Sequence, residues 1–229
     1  MKWLYIMLLL TDLICFWGSR NTKHPKLNFL PSPHKVYLCC RWTAQKQGLV
    51  AKQFNFSDTN ITHLGIGFTS QDGFRVYHVS DVKSNGNYFQ HDSLAGFIAE
   101  KGTRFFSAWE IDAPERILEK IKAACLSESN NRIIFDTHFS FHNGDTLYCS
   151  EFCRNVLLQA GLDCIFPTRI SNLQGDFYKI YFGMDSLRYV PVDFFLSCNR
   201  VKLVYESSFP VFWTMAESGY SLSFLNEAF

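Results

Sequence analysis

Hydrophobic and polar positions along this chain predict strands first, helices in the middle and strands again towards the end. Short apolar or alternating runs predict strands at residues 36–40, 62–68, 75–79 and 105–111. The second and third runs flank Ser70-Gln71-Asp72-Gly73, in which Asp-Gly is a signal for a tight turn. We therefore predict that these two strands form a hairpin.

The spacing of apolar residues changes to that of a helix after residue 111. Asp112 and Glu115 form a capping-box pattern, and Pro114 suits the first turn of a helix. A helix over residues 114–126 follows from one apolar face, which consists of Ile117, Leu118, Ile121 and Cys125.

A second helical pattern begins near Cys149 and ends at Gly161, a residue suited to a helix C-cap. Its apolar face consists of Phe152, Val156, Leu157 and Ala160. Strands are predicted again at residues 176–182 and 201–205. Because strands and helices occur in separate blocks without an internal repeat, the order favours an α+β domain.

The N-terminus has the pattern of a targeting segment. Lys2 precedes an apolar run over residues 3–17, and about 15 apolar positions suit a secretory signal better than a membrane span. We expect residues 1–19 to be a signal peptide or an N-terminal anchor, with export to the periplasm, the cell envelope or the medium, and with membrane association through the N-terminus if it is retained. Residues 20–34, with three prolines, form a linker, and residues 35–229 form the folded domain. The alternative is a hydrophobic N-terminal helix of a soluble protein.

Composition and charge narrow the function classes. Hydrophobic residues make up 47% of the chain and aromatic residues 17%, so it can bury a sizeable core. The net charge of +1, without long basic runs, argues against nucleic acid as a partner. Removal of Cys15 with a signal leaves seven of eight cysteines, so at least one thiol is free unless it pairs between chains. Cys39 and Cys40 are adjacent in a strand and should point to opposite faces.

Cys149 is the first candidate for chemistry. It lies in the first turn of the second predicted helix, where free backbone N–H groups and the helix dipole favour a thiolate. A thiolate is the nucleophile of cysteine-dependent acyl transfer, but it needs a nearby base.

His63 is the preferred base. It opens the strand His63-Leu64-Gly65-Ile66-Gly67-Phe68, whose glycines allow close approach of another backbone, and His78 lies in the partner strand of the hairpin. A strand gives an imidazole the fixed direction that a general base requires. The alternative is a half-buried structural histidine. The remaining histidines lie in the linker or in predicted loops: His24, His34, His91, His138 and His142.

Four motifs follow one another along the chain: Thr62-His63-Leu64-Gly65-Ile66, Val76-Tyr77-His78-Val79, Phe135-Asp136 and Asp145-Thr146-Leu147-Tyr148-Cys149-Ser150-Glu151-Phe152. Their order resembles that of the permuted papain-like amidases of the YaeF/YiiX group, relatives of NlpC-type cysteine peptidases. The resemblance covers residues 35–191. It implies a circularly permuted papain-like fold, in which an antiparallel sheet packs against helices that include the nucleophile helix.

The same resemblance implies the roles of individual residues. Cys149 matches the nucleophile, His63 matches the base, and His78 occupies the place of the orienting third residue, which is commonly a glutamate in the family. A triad that includes Asp81 is the alternative.

The expected function is that of an exported cysteine hydrolase that cleaves an amide bond in a peptide or peptidoglycan-like substrate without a cofactor. An acyltransferase, thioesterase or lipid amidase acting on an acyl-lipid fits the same chemistry, and the 23 phenylalanines allow an apolar pocket. Two other classes remain open: a zinc site formed by Cys149, His63 and His78, and a catalytically inactive binding module.

Overall fold

A six-stranded antiparallel sheet forms the centre of the structure. The computed structural model describes residues 28–57, 60–84, 86–100, 102–139, 141, 145–164 and 166–209. The strands of the sheet are β1 (Val36–Thr43), β2 (His63–Ser70), β3 (Gly73–Ser84), β4 (Asn87–Ser93), β5 (Thr103–Ile111) and β10 (Val201–Ser208). Their order is β10-β5-β1-β2-β3-β4, and every neighbouring pair is antiparallel.

Helices cover both faces of this sheet. The helices are α1 (Lys46–Gln53), α2 (Leu94–Ala99), α3 (Glu115–Glu128), α4 (Cys149–Ala160), α5 (Asp176–Phe182) and a 3₁₀ helix (Val192–Ser197). The buried sides of α3 and α4 share the main core with one face of the sheet, and α2 shares a second core with the other face. Cys40 belongs to the first core and Cys39 to the second, so the prediction that they point to opposite faces is confirmed.

A third, smaller core joins α1 and α5 to two short antiparallel strands, β8 (Arg169–Asn172) and β9 (Ser186–Tyr189). We call these four elements the cap. Its buried side chains are Val50, Leu173, Phe182, Leu187 and Tyr189. A short parallel pair, β6 (Ile134–Phe135) with β7 (Thr146–Leu147), leads into α4.

Most of the predicted elements are confirmed. The strands at residues 36–40, 62–68, 75–79, 105–111 and 201–205 correspond to β1, β2, β3, β5 and β10. The hairpin turn is confirmed, with Ser70 paired to Gly73 and a positive φ of 90° at Gly73. The two predicted helices correspond to α3 and α4, and α4 ends at Gly161 in the left-handed conformation. The α+β class, with an antiparallel sheet against helices that include the Cys149 helix, is confirmed.

Two local predictions are wrong. The Asp112 capping box does not form, because the helix begins two residues later: Pro114 is the N-cap of α3, and the Asp112 N–H donates instead to Arg200 O at 2.8 Å. Residues 176–182 form α5 and not a strand. Gly175 and Gly183, both with positive φ, bound this segment, and a helix turns Tyr178, Tyr181 and Phe182 together towards the cap core.

The predicted leader over residues 1–19 and most of the linker over residues 20–34 lie outside the described residues. Phe29, near the end of that linker, is buried against Tyr37 with the two ring centroids 5.3 Å apart. Within the part of the chain that the structure describes, no helix has the length and apolar character needed to span a membrane.

Cys164 and Cys198 form a disulfide between residues 34 positions apart. The other cysteines that the structure describes are buried and lie outside this disulfide: Cys39, Cys40, Cys125, Cys149 and Cys153.

Candidate active site

Cys149 is the first residue of α4, as its sequence position predicted, and Tyr148 is the N-cap. Two hydrogen bonds attach this helix start to the chain after β9. The Ser150 hydroxyl donates to Val190 O at 2.7 Å, and the Val190 N–H donates to the Tyr148 hydroxyl at 2.9 Å. Tyr148, Ser150 and Val190 are all buried, so the position of the Cys149 thiol is fixed through the residues on both sides of Cys149.

A chain of three side chains runs across the sheet from His63. Its Nε2 lies 2.9 Å from Nδ1 of His78, and Nε2 of His78 lies 3.1 Å from Oδ2 of Asp92. We call these three side chains the relay. The pKa of Asp92 is lowered by its hydrogen bond to His78, so the carboxylate is ionised and can only accept.

The ionised Asp92 determines both histidine tautomers. His78 must donate from Nε2 and accept at Nδ1, and His63 must then donate from Nε2. Nδ1 of His63 therefore carries a lone pair and is the ring nitrogen left to act as a base. This tautomer assignment follows from the order of donors and acceptors in the relay.

The strand register and one glycine bring the relay together. Asp92 pairs with Val76 across β3 and β4, which places its side chain on the same face as that of His78, one diagonal step away. A Cβ atom on Gly65 would stand 2.8 Å from both the His78 Cβ and the Tyr77 O. The sequence-based expectation that a glycine permits close approach is confirmed here, because only a residue without a side chain fits beside His78.

Cys149 and His63 line the same pocket, and the backbone N–H of Leu64, the residue that follows His63, acts to lower the pKa of the Cys149 thiol. The pairing of β2 with β3 begins only at Ile66 with Tyr77, so the His63 end of β2 does not pair with β3. The start of α4 therefore approaches the end of β2 that carries His63.

The protonation states differ from the thiolate expected from the sequence. Burial raises the pKa of the Cys149 thiol to about 11, although the N–H groups of Leu64 and Ser150 and the charge of Arg41 oppose this shift. Burial also lowers the pKa of His78 to about 4 and that of His63 well below 6.5, helped by Arg41. The resting site therefore holds a neutral thiol and two neutral imidazoles.

Arg41 is a buried charge beside the relay that sequence reasoning missed. It pairs with His63 across β1 and β2, and the residue is 1% exposed. The guanidinium donates to Phe97 O and to the Glu100 carboxylate and lies 4.4 Å from the Phe97 ring centroid, while its Nε has no hydrogen-bond partner among the residues that the structure describes. His63 and His78 pack against the same Phe97 ring, which helps to fix their orientation.

The lining of the pocket has two chemically different halves. The polar half contains Arg41, Thr62, His63, Ser80, Asp81 and Glu100. The other half, which we call the aromatic wall, contains Val50, Phe54, Phe139, Phe182, Leu187 and Tyr189. Tyr148 and Cys149 line the same pocket.

The other sequence candidates lie elsewhere or play different roles. Asp81 lines the pocket but bonds to the Ser80 hydroxyl and is not in the relay. His91 lies in β4 and not in a loop, and its ring stacks on Tyr77 at 6.2 Å. His138 is exposed and bonds to Thr137, and His24 and His142 lie outside the described residues.

Asp92 is the member of the relay that the sequence patterns do not indicate. The polar residues 87–92 predict a loop, which is wrong because they lie in β4, and Asp92 is 14 positions from His78. The sequence does contain a signal for this strand, because polar and aromatic residues are mixed in Asn87-Tyr88-Phe89-Gln90-His91-Asp92. If this segment is taken as a third antiparallel strand after the hairpin, it brings Asp92 close to the strand that carries His78.

The residues of the proposed zinc site do not fit a metal. The facing nitrogens of His63 and His78 are 2.9 Å apart, which is a hydrogen-bond distance. A zinc ion bound to both, at about 2.0–2.1 Å from each in tetrahedral geometry, would hold the nitrogens farther apart. Among the residues described in the structure, no group of three His, Cys, Asp or Glu side chains is arranged to hold a metal ion.

Comparison with known proteins gives one structural relation. No family model matches the sequence, and no curated protein matches it. The fold is similar to the crystal structure of the metalloprotein YiiX from Escherichia coli O157:H7 (DUF1105), with a TM-score of 0.59 and 16% sequence identity over 77% of this chain and 99% of that chain. The resemblance to the YiiX group is therefore supported at the level of the fold.

Proposed function

We propose that this chain is a cysteine hydrolase in which Cys149 is the nucleophile and His63 is the base. The relay carries this proposal, because it ends in an ionised carboxylate and leaves a lone pair on Nδ1 of His63, and His63 and Cys149 line the same pocket. A base that is oriented by a second ring and then by an acid follows the same logic as a nucleophile–base–acid triad.

In the first half of the reaction, Cys149 Sγ attacks the substrate carbonyl while Nδ1 of His63 takes the thiol proton. The developing imidazolium is stabilised through His78 by Asp92. The bond between the carbonyl carbon and the leaving nitrogen breaks, and His63 returns the proton to the leaving amine. The Cys149 N–H, at the start of α4, contributes to stabilising the oxyanion.

In the second half, water attacks the thioester on Cys149. His63 takes a proton from this water, the carbon–sulfur bond breaks, and the thiol is regenerated with release of a carboxylic acid. The same cycle acts on amides, esters and thioesters, and transfer to an acceptor other than water would make the protein an acyltransferase. Amide hydrolysis of a peptide or peptidoglycan-like substrate is the activity implied by the family resemblance.

Asp92 changes the balance between this proposal and an inactive binding module. The absence of an acid at position 78 was the feature that favoured an inactive module. Asp92, bonded to His78, provides the negative charge that a histidine alone lacks. The circularly permuted papain-like arrangement remains part of the proposal, supported by the order His63, His78, Cys149 along the chain and by the fold shared with YiiX.

We also propose that the protein is exported. The apolar run after Lys2 supports an export signal. The disulfide between Cys164 and Cys198 supports an oxidising compartment, in which such bonds persist.

The test combines trapping and titration of Cys149 in the full chain. With 4-nitrophenyl esters and 4-nitroanilides as substrates, we expect an acyl adduct on the Cys149 peptide by mass spectrometry, and a loss of turnover of at least about 10³-fold in Cys149→Ser. Cys153→Ser, one helical turn further into the core, is the matched control and should keep the adduct. Full turnover by Cys149→Ser would refute the proposal.

The pH profile tests the protonation states. Alkylation of Cys149 by iodoacetamide should rise up to about pH 11, because the thiol pKa is raised to about 11. Turnover should persist below pH 6.5, because the pKa of His63 is lowered and the base stays neutral there. A plateau of the alkylation rate below pH 8 would contradict a buried, neutral thiol.

A further inference from the structure

The aromatic wall has the chemistry of a binding site for an apolar chain. Its side chains carry no charge, and the Tyr189 hydroxyl is their only polar group. Val50, Phe182, Leu187 and Tyr189 also belong to the buried core of the cap, so this half of the pocket is continuous with a hydrophobic core. Ligand sites in proteins are commonly of this kind, with apolar walls and a few polar groups at one end.

Ring contacts hold the wall in a fixed shape. Phe54 makes edge contacts with Phe182 at 5.5 Å and with Tyr189 at 5.3 Å between ring centroids. Phe139 makes an edge contact with Phe182 at 5.9 Å and a tilted contact with Tyr148 at 5.2 Å. Edge-to-face pairs of this kind are favourable arrangements of aromatic rings.

The backbone at Phe139 points to the same role. Phe139 has a φ of 52°, in the left-handed region that a bulky side chain rarely adopts. This conformation is compatible with contacts of its ring with Phe182 and Tyr148, on both sides of the pocket. Unfavourable backbone conformations of this kind cluster at functional sites.

The wall begins beside the nucleophile. Tyr148, which contacts Phe139, immediately precedes Cys149 in the chain, and both line the pocket. The polar half, with Arg41, His63 and Glu100, lines the same pocket. A substrate whose carbonyl lies at Cys149 therefore meets uncharged, mostly aromatic side chains in one half of the pocket and charged groups in the other.

We infer that the acyl part of the substrate is an unbranched or aromatic apolar chain that lies along the aromatic wall, while the leaving group faces the polar half of the pocket. This inference rests on the proposed hydrolase function. The Cys149 sulfur forms the thioester with the apolar acyl group, the leaving amine, alcohol or thiol takes the proton from His63, and water releases the fatty or aryl carboxylic acid. Acyl groups that carry a carboxylate or ammonium group find no charged partner on the wall.

The experiment measures kcat/KM of the full chain for 4-nitrophenyl acetate, 4-nitrophenyl octanoate and the 4-nitrophenyl monoester of suberic acid, an eight-carbon chain that ends in a carboxylate. Each buried methylene contributes about a fourfold factor in binding, so octanoate should exceed acetate at least tenfold even if the chain is partly buried. Octanoate should also exceed the suberate monoester at least tenfold. Equal rates for acetate and octanoate, or a preference for the suberate monoester, would overturn the inference.

Two substitutions in the same helix provide a matched pair. Ala51 in α1 lines the pocket, and Ala51→Phe should lower the octanoate-to-acetate ratio at least fivefold by filling the space along the wall. Leu49 in α1 is 49% exposed and does not line the pocket, and Leu49→Phe should change neither rate. An unchanged ratio in folded Ala51→Phe, checked by circular dichroism, would contradict the inference.

The inference and the proposed function fail in different ways. Turnover that depends on Cys149 but shows no chain preference refutes only the role of the wall. Turnover that survives Cys149→Ser refutes the hydrolase assignment and, with it, the inference. A chain preference measured on the wild-type protein decides the question even if Ala51→Phe does not fold.

Discussion

Replacement of Asp92 by asparagine tests whether the relay contributes to catalysis. Asparagine keeps the size and shape of the side chain but removes the negative charge. Its amide can also donate to Nε2 of His78, which would reverse both tautomers and leave a proton on Nδ1 of His63. We expect kcat/KM to fall about tenfold for Asp92→Asn, with little change in the free energy of unfolding.

The magnitude follows from two contributions. Two hydrogen bonds of 2.9 and 3.1 Å and one imidazole ring separate the Asp92 charge from Nε2 of His63 by roughly 8 Å. At an effective dielectric constant of about 20, this gives about 2 kcal/mol, and the Asp92 side chain is 38% exposed, so we reduce it to about 1 kcal/mol. An energy of about 1 kcal/mol corresponds to about a fivefold change in rate. The fraction of molecules with reversed tautomers lowers the rate by about a further factor of two.

The assay is ester hydrolysis under kcat/KM conditions, together with the pH profile of turnover. Asp72→Asn is the matched control for the change of charge, because Asp72 lies in the exposed turn between β2 and β3 and is not part of the relay. An Asp92→Asn protein with the same kcat/KM as Asp72→Asn would show that the relay has no catalytic role. If Asp92→Asn lowers the melting temperature so far that unfolding accounts for the whole loss of activity, Asp92 has a structural role only.

Two further substitutions test the framework around the site. Gly65→Ala places a Cβ atom 2.8 Å from the His78 Cβ and the Tyr77 O, and we expect a loss of about 1–3 kcal/mol in urea unfolding and a large loss of turnover, whereas Gly96→Ala, with its nearest contact at 3.4 Å, should be neutral. Wild-type stability after Gly65→Ala would contradict the close packing of β2 against β3. Cys198→Ala should lower the free energy of unfolding by about 3–4 kcal/mol, as expected for a loop of 34 residues, and should remove the effect of a reductant on stability. A wild-type protein whose stability does not respond to reductant would argue against the disulfide.

The framework of the fold could be predicted from the sequence because its strongest elements have regular patterns. The strands at residues 62–68 and 75–79 are joined by an Asp-Gly turn, and both the elements and the turn are confirmed as β2 and β3. The cap could not be predicted in this way. Residues 176–182 are rich in residues that favour strands, and only the two glycines with positive φ at positions 175 and 183, together with burial of Phe182, make this segment a helix.

The candidate site was only partly predictable for a related reason. Cys149 and His63 are located by local patterns, a helix start and a strand start, that a single sequence contains. The contact of Asp92 with His78 depends on strand register, since pairing with Val76 is what brings Asp92 beside His78. Arg41 is similar, because its position opposite His63 depends on the pairing of β1 with β2. Register depends on the hydrophobic patterns of both strands and on the turn that joins them, so the local pattern of one strand does not determine it.

The difference between the expected thiolate and the raised pKa of the Cys149 thiol has a quantitative explanation. A charge in the first turn of a helix gains about 0.3–1 kcal/mol from the dipole when it is exposed. The rise in the pKa of the Cys149 thiol from 9.0 to about 11 corresponds to about 3 kcal/mol against the thiolate, so burial outweighs the helix start. In the proposed mechanism, a buried thiol of this kind depends on a base that removes its proton during the attack. The relay would meet this need, because it holds a neutral His63 in a fixed tautomer with a lone pair on Nδ1.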